Sequence, residues 1–172
     1  QNAFSRVFEG PIVDRTPAEP HFCASCCVLR DADLWRMWYT ACTGWRLVAG
    51  APRHDYHIRY AESEDGIAWR RTGHVAIDFE NPGDYALSRP CVLRDGDTLK
   101  RWYSYRGDRY RIGYAESRGG LSWSRRDSLV DLEPTEGDWD SEMIAYPYVF
   151  DHAGVRYMLY NGDGYGKTGF GL

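Results

Sequence analysis

The sequence predicts an all-β protein made of β-propeller blades, each with four antiparallel strands, and about three blades in this chain. Three observations predict this fold. A segment of similar sequence recurs along the chain, its short runs alternate aromatic and β-branched residues, and Asp-Gly, Gly-Asp and Asn-Gly dipeptides separate those runs. No amphipathic helical stretch is longer than about ten residues. The alternative is a β-sandwich whose segments resemble one another by coincidence.

The recurrence is carried by short strings that return with little change. These are CVLRD at 27–31 and 91–95, YAES at 60–63 and 114–117, and MWY at 37–39 with the counterparts RWY at 101–103 and MLY at 158–160. A third, shorter copy runs from residue 148 to residue 172. Such a repeat indicates units that cannot bury their faces alone and that pack on their neighbours.

Each copy is expected to contain four strands, called a to d. In the first copy these are 22–29, 34–42, 56–62 and a strand d from Ile67, which follows a Ser-x-Asp-Gly turn. A long loop is expected between strands b and c. The division predicts one domain over 1–172: an outer strand closing a blade at 1–14, blades at 15–80 and 81–133, and a blade lacking its own outer strand at 134–172. The outer strand is expected from Phe4 to Asp14, which resembles strand d of the copies.

Composition excludes several classes of partner. The 172 residues carry 21 Lys and Arg against 25 Asp and Glu, a formal net charge of −4, so nothing indicates a nucleic-acid binder. No apolar run approaches the roughly 18 residues of a membrane span, and no leader is visible, so we expect a cytoplasmic protein without a membrane partner. The five cysteines lack the other ligands of a zinc site. Cys27 and Cys91 occupy the same position in two copies and are expected to be buried in strands. No metal or cofactor is expected.

Four segments carry a resemblance to a known superfamily: WRMWYT at 35–40, IRYAESEDGIAW at 58–69, RIGYAES at 111–117 and YMLYNG at 157–162. They resemble the five-bladed β-propeller glycoside hydrolases, which include arabinanases, xylosidases, levansucrases and invertases. The resemblance covers essentially the whole chain, which looks most like the last three of five blades. Three blades are fewer than the four to eight that close a ring. Either the ring contains blades absent from this sequence, or a homodimer completes it.

The resemblance implies a carbohydrate-active protein that binds a glycan or an activated sugar at the mouth of the channel, with hydrolysis of a glycosidic bond as a further step. The alternatives are a non-catalytic sugar-binding or assembly module and an inactive partial propeller. In a propeller the d-to-a and b-to-c connections lie on one face. They supply the substrate-binding candidates, which are His21, Arg89, Trp45, His57, Arg106, Tyr146, Asn161 and Asp163.

Glycoside hydrolysis needs a protonated acid and an ionised carboxylate. Glu142 is the candidate acid, because it opens an inner strand where burial would raise its pKa, and Asp140 is the nearest second carboxylate. A solvated Glu142 and a turn role for Asp163 are the alternatives. The related hydrolases place an acidic residue beside a proline on inner strands, and none of the three aligned positions here is acidic. Those positions hold Ser25, Arg89 and Tyr146. Because this position lacks the acidic residue, Arg89 is expected to bind a carboxylate, phosphate or sugar hydroxyl, and the alternative is an ion pair between blades.

Overall fold

The structure is a computed structural model that describes residues 3–172. Its strands are β1 (Cys23–Asp31), β2 (Leu34–Val48), β3 (Ala51–Ser63), β4 (Arg70–Ile77), β5 (Ala86–Asp95), β6 (Thr98–Arg106), β7 (Tyr110–Ser117), β8 (Ser124–Arg125), β9 (Ala145–His152), β10 (Val155–Asn161) and β11 (Phe170–Gly171). A short 3-10 helix (Asp127–Leu129) and a helical turn (Asp163–Gly166) are the helical elements of the described part. The predicted all-β class is confirmed. None of the described helices is long or apolar enough to span a bilayer.

The strands form three blades in chain order. Blade 1 is the antiparallel meander β1 to β4, blade 2 is β5 to β8, and blade 3 is β9 to β11. The first strand of each blade is called its inner strand. At the start of the inner strand of blade 2, Ala86 of β5 pairs in parallel with Tyr56 of β3. Blades 1 and 2 therefore lie side by side, as in a propeller.

The chain between strands b and c of blade 1 differs from the expected loop. β2 and β3 continue well past Cys42 as a hairpin arm, in register as far as the pair Val48 and Ala51. The turn at its tip places Ala49 at φ 51° and Gly50 at φ 80°. Positive φ at both central residues matches the right-handed twist of the strands and allows a tight connection. The arm was missed because Ala-Gly is a weaker turn signal than Asn-Gly.

The outer strands also differ from expectation. β4 starts at Arg70 rather than Ile67, because the Asp65 carboxylate accepts the backbone N–H groups of Ile67 and Ala68, both at 2.8 Å. In blade 2, β8 has only two residues, since the Asp127 carboxylate takes the Tyr114 N–H at 3.0 Å and replaces a ladder hydrogen bond. Side-chain acceptors thus shorten both outer strands.

The outer strand expected at 1–14 does not form over residues 4–14, which lie in no strand. Residues 1 and 2 of that expected strand lie outside the described residues. An outer strand has to pair with a strand c. β3 and β7 already pair with β4 and β8, and β11, the strand c of blade 3, has only two residues. The chain from Pro11 to Glu19 instead packs on the free face of blade 1, where Val13 lies against a cluster that includes Met37 and Tyr39 and Glu19 accepts the Tyr39 hydroxyl.

The hydrophobic core lies between the blades. Trp38, Ile58 and Tyr60 of blade 1 pack against residues such as Leu87 and Tyr103 of blade 2, and a second cluster joins blade 2 to blade 3. Large side chains on facing sheets supply most of the apolar area removed from water. The blades are therefore stabilised by their neighbours, as expected for a propeller.

Thiol contacts connect successive inner strands. The N–H of Val92 in β5 donates to Cys27 Sγ of β1 at 3.2 Å, and the N–H of Val149 in β9 donates to Cys91 Sγ of β5 at the same distance. Burial raises the pKa of the Cys27 thiol to about 11. Both thiols therefore stay protonated and serve as packing groups at neutral pH.

Candidate functional site

Each inner strand contains one residue in the left-handed region near its start. These residues are Ser25 (φ 34°), Arg89 (φ 50°) and Tyr146 (φ 60°). In β1 and β5 the pairing register shifts at the same place, between Ala24 and Cys26 and between Ser88 and Cys91. A bulge with positive φ is strained for a non-glycine residue and turns its side chain away from the regular sheet face. Ser25, Arg89 and Tyr146, which stand where the related hydrolases have acidic residues, therefore share the same backbone conformation at the start of each inner strand.

Two cavities open beside these bulges. The larger, of about 630 Å³, is lined by Val48, Ala51, Pro52, Arg53, His54, Tyr56, Tyr85, Arg106, Tyr110, Tyr146 and Tyr165. The smaller, of about 350 Å³, is lined by Phe22, Ala24, Ser25, Thr40, His54, Tyr56, Ser88, Arg89 and Tyr146. They share His54, Tyr56 and Tyr146, so we treat them as one channel-mouth site. No acidic side chain occurs among these lining residues of the described chain.

Five tyrosines line the larger cavity. Tyr146 stacks on Tyr165 with ring centres 6.1 Å apart, and Tyr110 meets the Tyr165 ring edge-on at 5.8 Å. The Tyr56 and Tyr110 hydroxyls are hydrogen-bonded to each other. Burial raises the pKa of Tyr146 to about 12 and also raises the pKa of Tyr56 and Tyr110. All three hydroxyls are therefore neutral at physiological pH and can both donate and accept hydrogen bonds.

Two predicted arginines contribute to this site. Arg106 donates from Nη1 to the Tyr165 hydroxyl at 3.2 Å, and its guanidinium lies 5.1 Å from the centre of the Tyr110 ring. Arg89, exposed on its bulge, lies 5.4 Å from the centre of the Tyr146 ring. Neither has a carboxylate within 4.0 Å in residues 3–172. The inter-blade ion pair considered for Arg89 is thus not formed within the described chain.

Trp45 lies beside the site rather than in its lining. It is 55% exposed on the β2–β3 arm, and its ring centre is 4.7 Å from that of His54. His54 in turn stacks on Tyr56, with ring centres 5.3 Å apart. The arm therefore extends the aromatic surface from the cavity toward solvent.

The two candidate catalytic carboxylates lie outside the lining. Glu142 is exposed, and its Oε2 is 3.2 Å from Nη1 of Arg109. Asp140 is almost fully buried at 1% exposure, where it accepts the Thr135 N–H at 3.1 Å and the Tyr160 hydroxyl at 3.1 Å. Asp140 therefore holds the loop before β9 against β10 in this structure, and it does not face Glu142 across a cavity.

Asn161 and Asp163 hold the loop that carries Tyr165. Asn161 Nδ2 donates to the carbonyl oxygen of Tyr165 at 3.1 Å. Asp163 Oδ1 accepts the N–H groups of Glu142 at 2.7 Å and Met143 at 2.9 Å. Burial alone would raise the pKa of Asp163, but these hydrogen bonds outweigh it and lower the pKa. Both side chains act through the backbone, which matches the turn role considered for Asp163.

The two candidate histidines have different surroundings from those expected. His57 is buried at 5% exposure in β3, where Arg59 Nε donates to its Nε2 at 3.0 Å and its Nδ1 lies 3.2 Å from Asp78 Oδ1. Because Nε2 accepts, the ring proton is on Nδ1 and points to Asp78. Burial lowers the pKa of His57. His21 is half-buried next to Phe22 and lies outside the cavity lining.

Sequence reasoning missed several lining residues, above all Tyr56 and Tyr110. A usable signal was present, because each is the residue four positions before the tyrosine of the repeated YAES string and each opens or precedes a strand c. Tyr85 and Arg53 have no counterpart of this kind. Among the described residues no three His, Cys, Asp or Glu side chains are placed to bind a metal ion.

No family model matches this chain. It is 42% identical over 171 residues to two uncharacterized proteins of Mycobacterium tuberculosis, MT1551 of strain CDC 1551 / Oshkosh and Rv1502 of strain ATCC 25618 / H37Rv. Each match covers 98% of this chain and 56% of the relative. The chain therefore spans about half the length of the curated relatives it matches.

Several solved structures with a similar fold are named as glycoside hydrolases. A glycoside hydrolase aligns with a TM-score of 0.71 at 19% identity, over 90% of this chain and 47% of that one. Zg3597, a family 117 glycoside hydrolase of Zobellia galactanivorans, gives 0.68 at 19% over 87% and 51%. The GH32 beta-fructofuranosidase BmSUC1 of Bombyx mori gives 0.67 at 18% over 81% and 30%. The predicted resemblance is confirmed at the level of the fold: the chain has the propeller architecture of these glycoside hydrolases, of which it contains three blades.

Proposed function

We propose that the chain binds one or two sugar units of a glycan in the channel-mouth site. The observation that carries this proposal is the pair of joined cavities lined by five tyrosines, Tyr56, Tyr85, Tyr110, Tyr146 and Tyr165. Their volumes of about 630 and 350 Å³ both lie within the roughly 300–1,000 Å³ of ligand sites in proteins. The glycoside hydrolase fold supports a carbohydrate ligand by analogy.

Aromatic rings and polar groups are arranged as a sugar requires. The C–H faces of a pyranose or furanose are apolar and pack on rings such as those of Tyr146 and Tyr165. Its hydroxyls need donors and acceptors, which the neutral tyrosine hydroxyls supply. Two buried hydroxyls in the smaller cavity, Thr40 Oγ1 and Ser88 Oγ, have no hydrogen-bond partner among the described residues. A bound sugar hydroxyl would satisfy such groups, which are costly to leave unpaired.

The test measures affinity for a panel of neutral and acidic oligosaccharides by isothermal titration calorimetry. We expect Tyr146→Ala to weaken binding at least about tenfold, since burying an aromatic ring contributes roughly 1.5–3 kcal/mol. Phe8→Ala is the control, because Phe8 is also aromatic but is 52% exposed and lies outside both cavities. Equal affinities for the two variants, or no ligand in the panel, would contradict the proposal.

Hydrolysis is the second candidate function, favoured by the fold of the structural neighbours. Two-carboxylate chemistry needs a second carboxylate within roughly 5 to 10 Å of the acid. Asp140 is buried on Tyr160, and the Asp163 carboxylate beside Glu142 is hydrogen-bonded to the N–H groups of Glu142 and Met143. We therefore propose that the second carboxylate comes from chain outside these residues or from a partner. Turnover of aryl-glycosides or oligosaccharides that is lost in Glu142→Gln but retained in Glu136→Gln, an exposed control, would establish hydrolysis with Glu142 as the acid.

We also propose, as one way of completing the ring, a homodimer. The far face of blade 3 supports it, because Tyr148 and Phe170 are 61% and 72% exposed there. Exposed aromatic side chains on a sheet face commonly mark a contact surface. Mass measurement in solution tests the idea: twice 19.8 kDa is expected for the dimer, and a monomer at micromolar concentration overturns it.

A further inference from the structure

We infer that the channel-mouth site is selective for an acidic sugar, with the negatively charged group bound by Arg106 and attracted further by Arg89. This inference rests on the proposed function, since it names the class of sugar that the same site takes. It is carried by three observations: the sign of the charges in the lining, the orientation of Arg106, and the bulge that presents Arg89.

The lining is positively charged. Arg53, Arg89 and Arg106 line the two cavities, and no acidic side chain lines them within residues 3–172. The Asp55 carboxylate, which lies in the chain between the lining residues His54 and Tyr56, is shared by Arg46, with Nε at 2.6 Å, and Arg53, with Nε at 3.6 Å. Asp55 is thus already paired, and the charges of Arg89 and Arg106 are left uncompensated by described carboxylates. A site for a neutral sugar needs no such excess of charge.

Arg106 is oriented before any ligand binds. Its Nη1 donates to the Tyr165 hydroxyl at 3.2 Å, and its guanidinium lies 5.1 Å from the centre of the Tyr110 ring and 5.6 Å from the centre of the Tyr85 ring. Its Nε is buried without a hydrogen-bond partner among the described residues. A planar guanidinium held by aromatic rings keeps its remaining N–H groups available for the two oxygens of a carboxylate, phosphate or sulfate. Pre-orientation lowers the entropy lost on binding.

Arg89 adds a second charge at the junction of the two cavities. It sits at φ 50° on the bulge of β5, and its guanidinium lies 5.4 Å from the centre of the Tyr146 ring, which lines both cavities. Tyr146 therefore lies within range of both arginines and offers the ring on which a sugar can stack. An acidic group on that sugar gains from both charges, whereas a neutral sugar would have to displace their hydration without compensation.

The test uses matched pairs of ligands in which one member carries an acidic group and the other carries a neutral hydroxyl in its place. The pairs are trigalacturonic acid and its carboxyl-reduced form, a glucuronic acid disaccharide and its carboxyl-reduced form, and galactose 6-sulfate and 6-phosphate each against galactose. Affinity is measured by calorimetry at 50 and 300 mM NaCl. We expect the acidic member of at least one pair to bind at least about tenfold more tightly, with the advantage shrinking at the higher salt concentration. The pair that shows it identifies carboxylate, sulfate or phosphate as the group bound.

Variants connect the effect to the two arginines. Arg106→Gln is expected to remove most of the preference for the acidic member, and Arg89→Gln, which alters an exposed side chain, part of it. Arg118→Gln is the control, because Arg118 is exposed outside both cavities and carries the same charge. Equal binding of both members of every pair, or an acidic preference unchanged in Arg106→Gln and Arg89→Gln, overturns this inference while sugar binding stands. Absence of binding by every member overturns the proposed function as well.

Discussion

Replacing Glu19 by Gln should destabilise blade 1 more than any other single charge removal in the segment that precedes it. Glu19 is 5% exposed, although it lies in an irregular stretch before β1. Its carboxylate accepts Nη1 of Arg59 and Nη1 of Arg71, each at 2.9 Å, and the Tyr39 hydroxyl at 2.9 Å. One carboxylate thus joins β2, β3 and β4 to the segment that covers the free face of the blade.

The expected magnitude follows from these contacts. Removing one partner of a buried ion pair costs about 3–5 kcal/mol, because the remaining charge is left uncompensated. The side chains of Arg59 and Arg71 are 17% and 16% exposed, so water solvates them in part, and a glutamine oxygen still accepts one donor. We therefore expect a loss of about 3 kcal/mol, at the lower end of that range. For a chain of this size the loss corresponds to a fall in Tm of about 6–12 °C.

Urea unfolding monitored by tryptophan fluorescence gives the free energy of unfolding at a series of pH values. Burial alone would raise the pKa of Glu19, but the hydrogen bonds from Arg59 and Tyr39 and the neighbouring positive charges lower it below 4.5. The stabilisation is therefore present above pH 4.5 and is lost as the pH falls through the folded-state pKa. Glu64→Gln, at an exposed position, is the control. A loss under about 1 kcal/mol at pH 7, or a loss that persists unchanged at pH 3, would refute the reasoning.

Two further predictions concern stability. Burial lowers the pKa of His57 in the folded chain, so the unfolded chain takes up its proton first and the free energy of unfolding should fall as the pH drops below 6.5. His57→Gln should make the urea midpoint less dependent on pH between pH 7 and 5, whereas exposed His152→Gln should not. Parallel pH curves for the two variants would contradict the assignment to His57. Gly113→Ala should lower the free energy of unfolding by about 1–3 kcal/mol, because a Cβ there would lie 2.5 Å from the Tyr103 ring. Gly44→Ala, whose Cβ would meet no atom within 4 Å, is the control and should melt near the wild-type temperature. Equal melting temperatures for the two variants would contradict the close contact at Gly113.

The strands of the fold could be predicted because their signals are local. Alternating aromatic residues and turn dipeptides indicated where strands a, b and c lie, and the recurring strings indicated the propeller. The lengths of the outer strands could not be predicted, because they depend on where a single carboxylate binds backbone N–H groups. Asp65 and Asp127 each look like ordinary turn residues in the sequence. The hairpin arm beyond Cys42 was missed for a different reason. Its tight turn requires a positive φ at Ala49, and alanine is not a residue type that indicates such a turn in a sequence.

The candidate site was predicted only in part, and the division has a physical cause. Arg89, Arg106 and Tyr146 line the cavities because they lie at the starts of inner strands or at the end of a strand b, positions that alignment of the copies reveals. Burial and hydrogen-bond partners are set by residues distant in sequence, so Asp140 and His57 could not be separated from ligand-binding groups beforehand. The roles predicted for Glu142 and Asp140 in catalysis remain predictions that substitution can test.

The thiol contacts between inner strands make the separation of neighbouring blades chemically measurable. Cys27 and Cys91 each occupy one boundary, against Val92 and Val149 respectively, while Cys26 is exposed on the same strand as Cys27. A protonated, covered thiol reacts slowly with an alkylating reagent, and it becomes reactive when the contact opens. Labelling followed by mass spectrometry would therefore time the opening of each boundary separately, with Cys26 as an internal reference for reagent access. The labelling rates of Cys27 and Cys91 thus report how often each blade boundary opens by local unfolding.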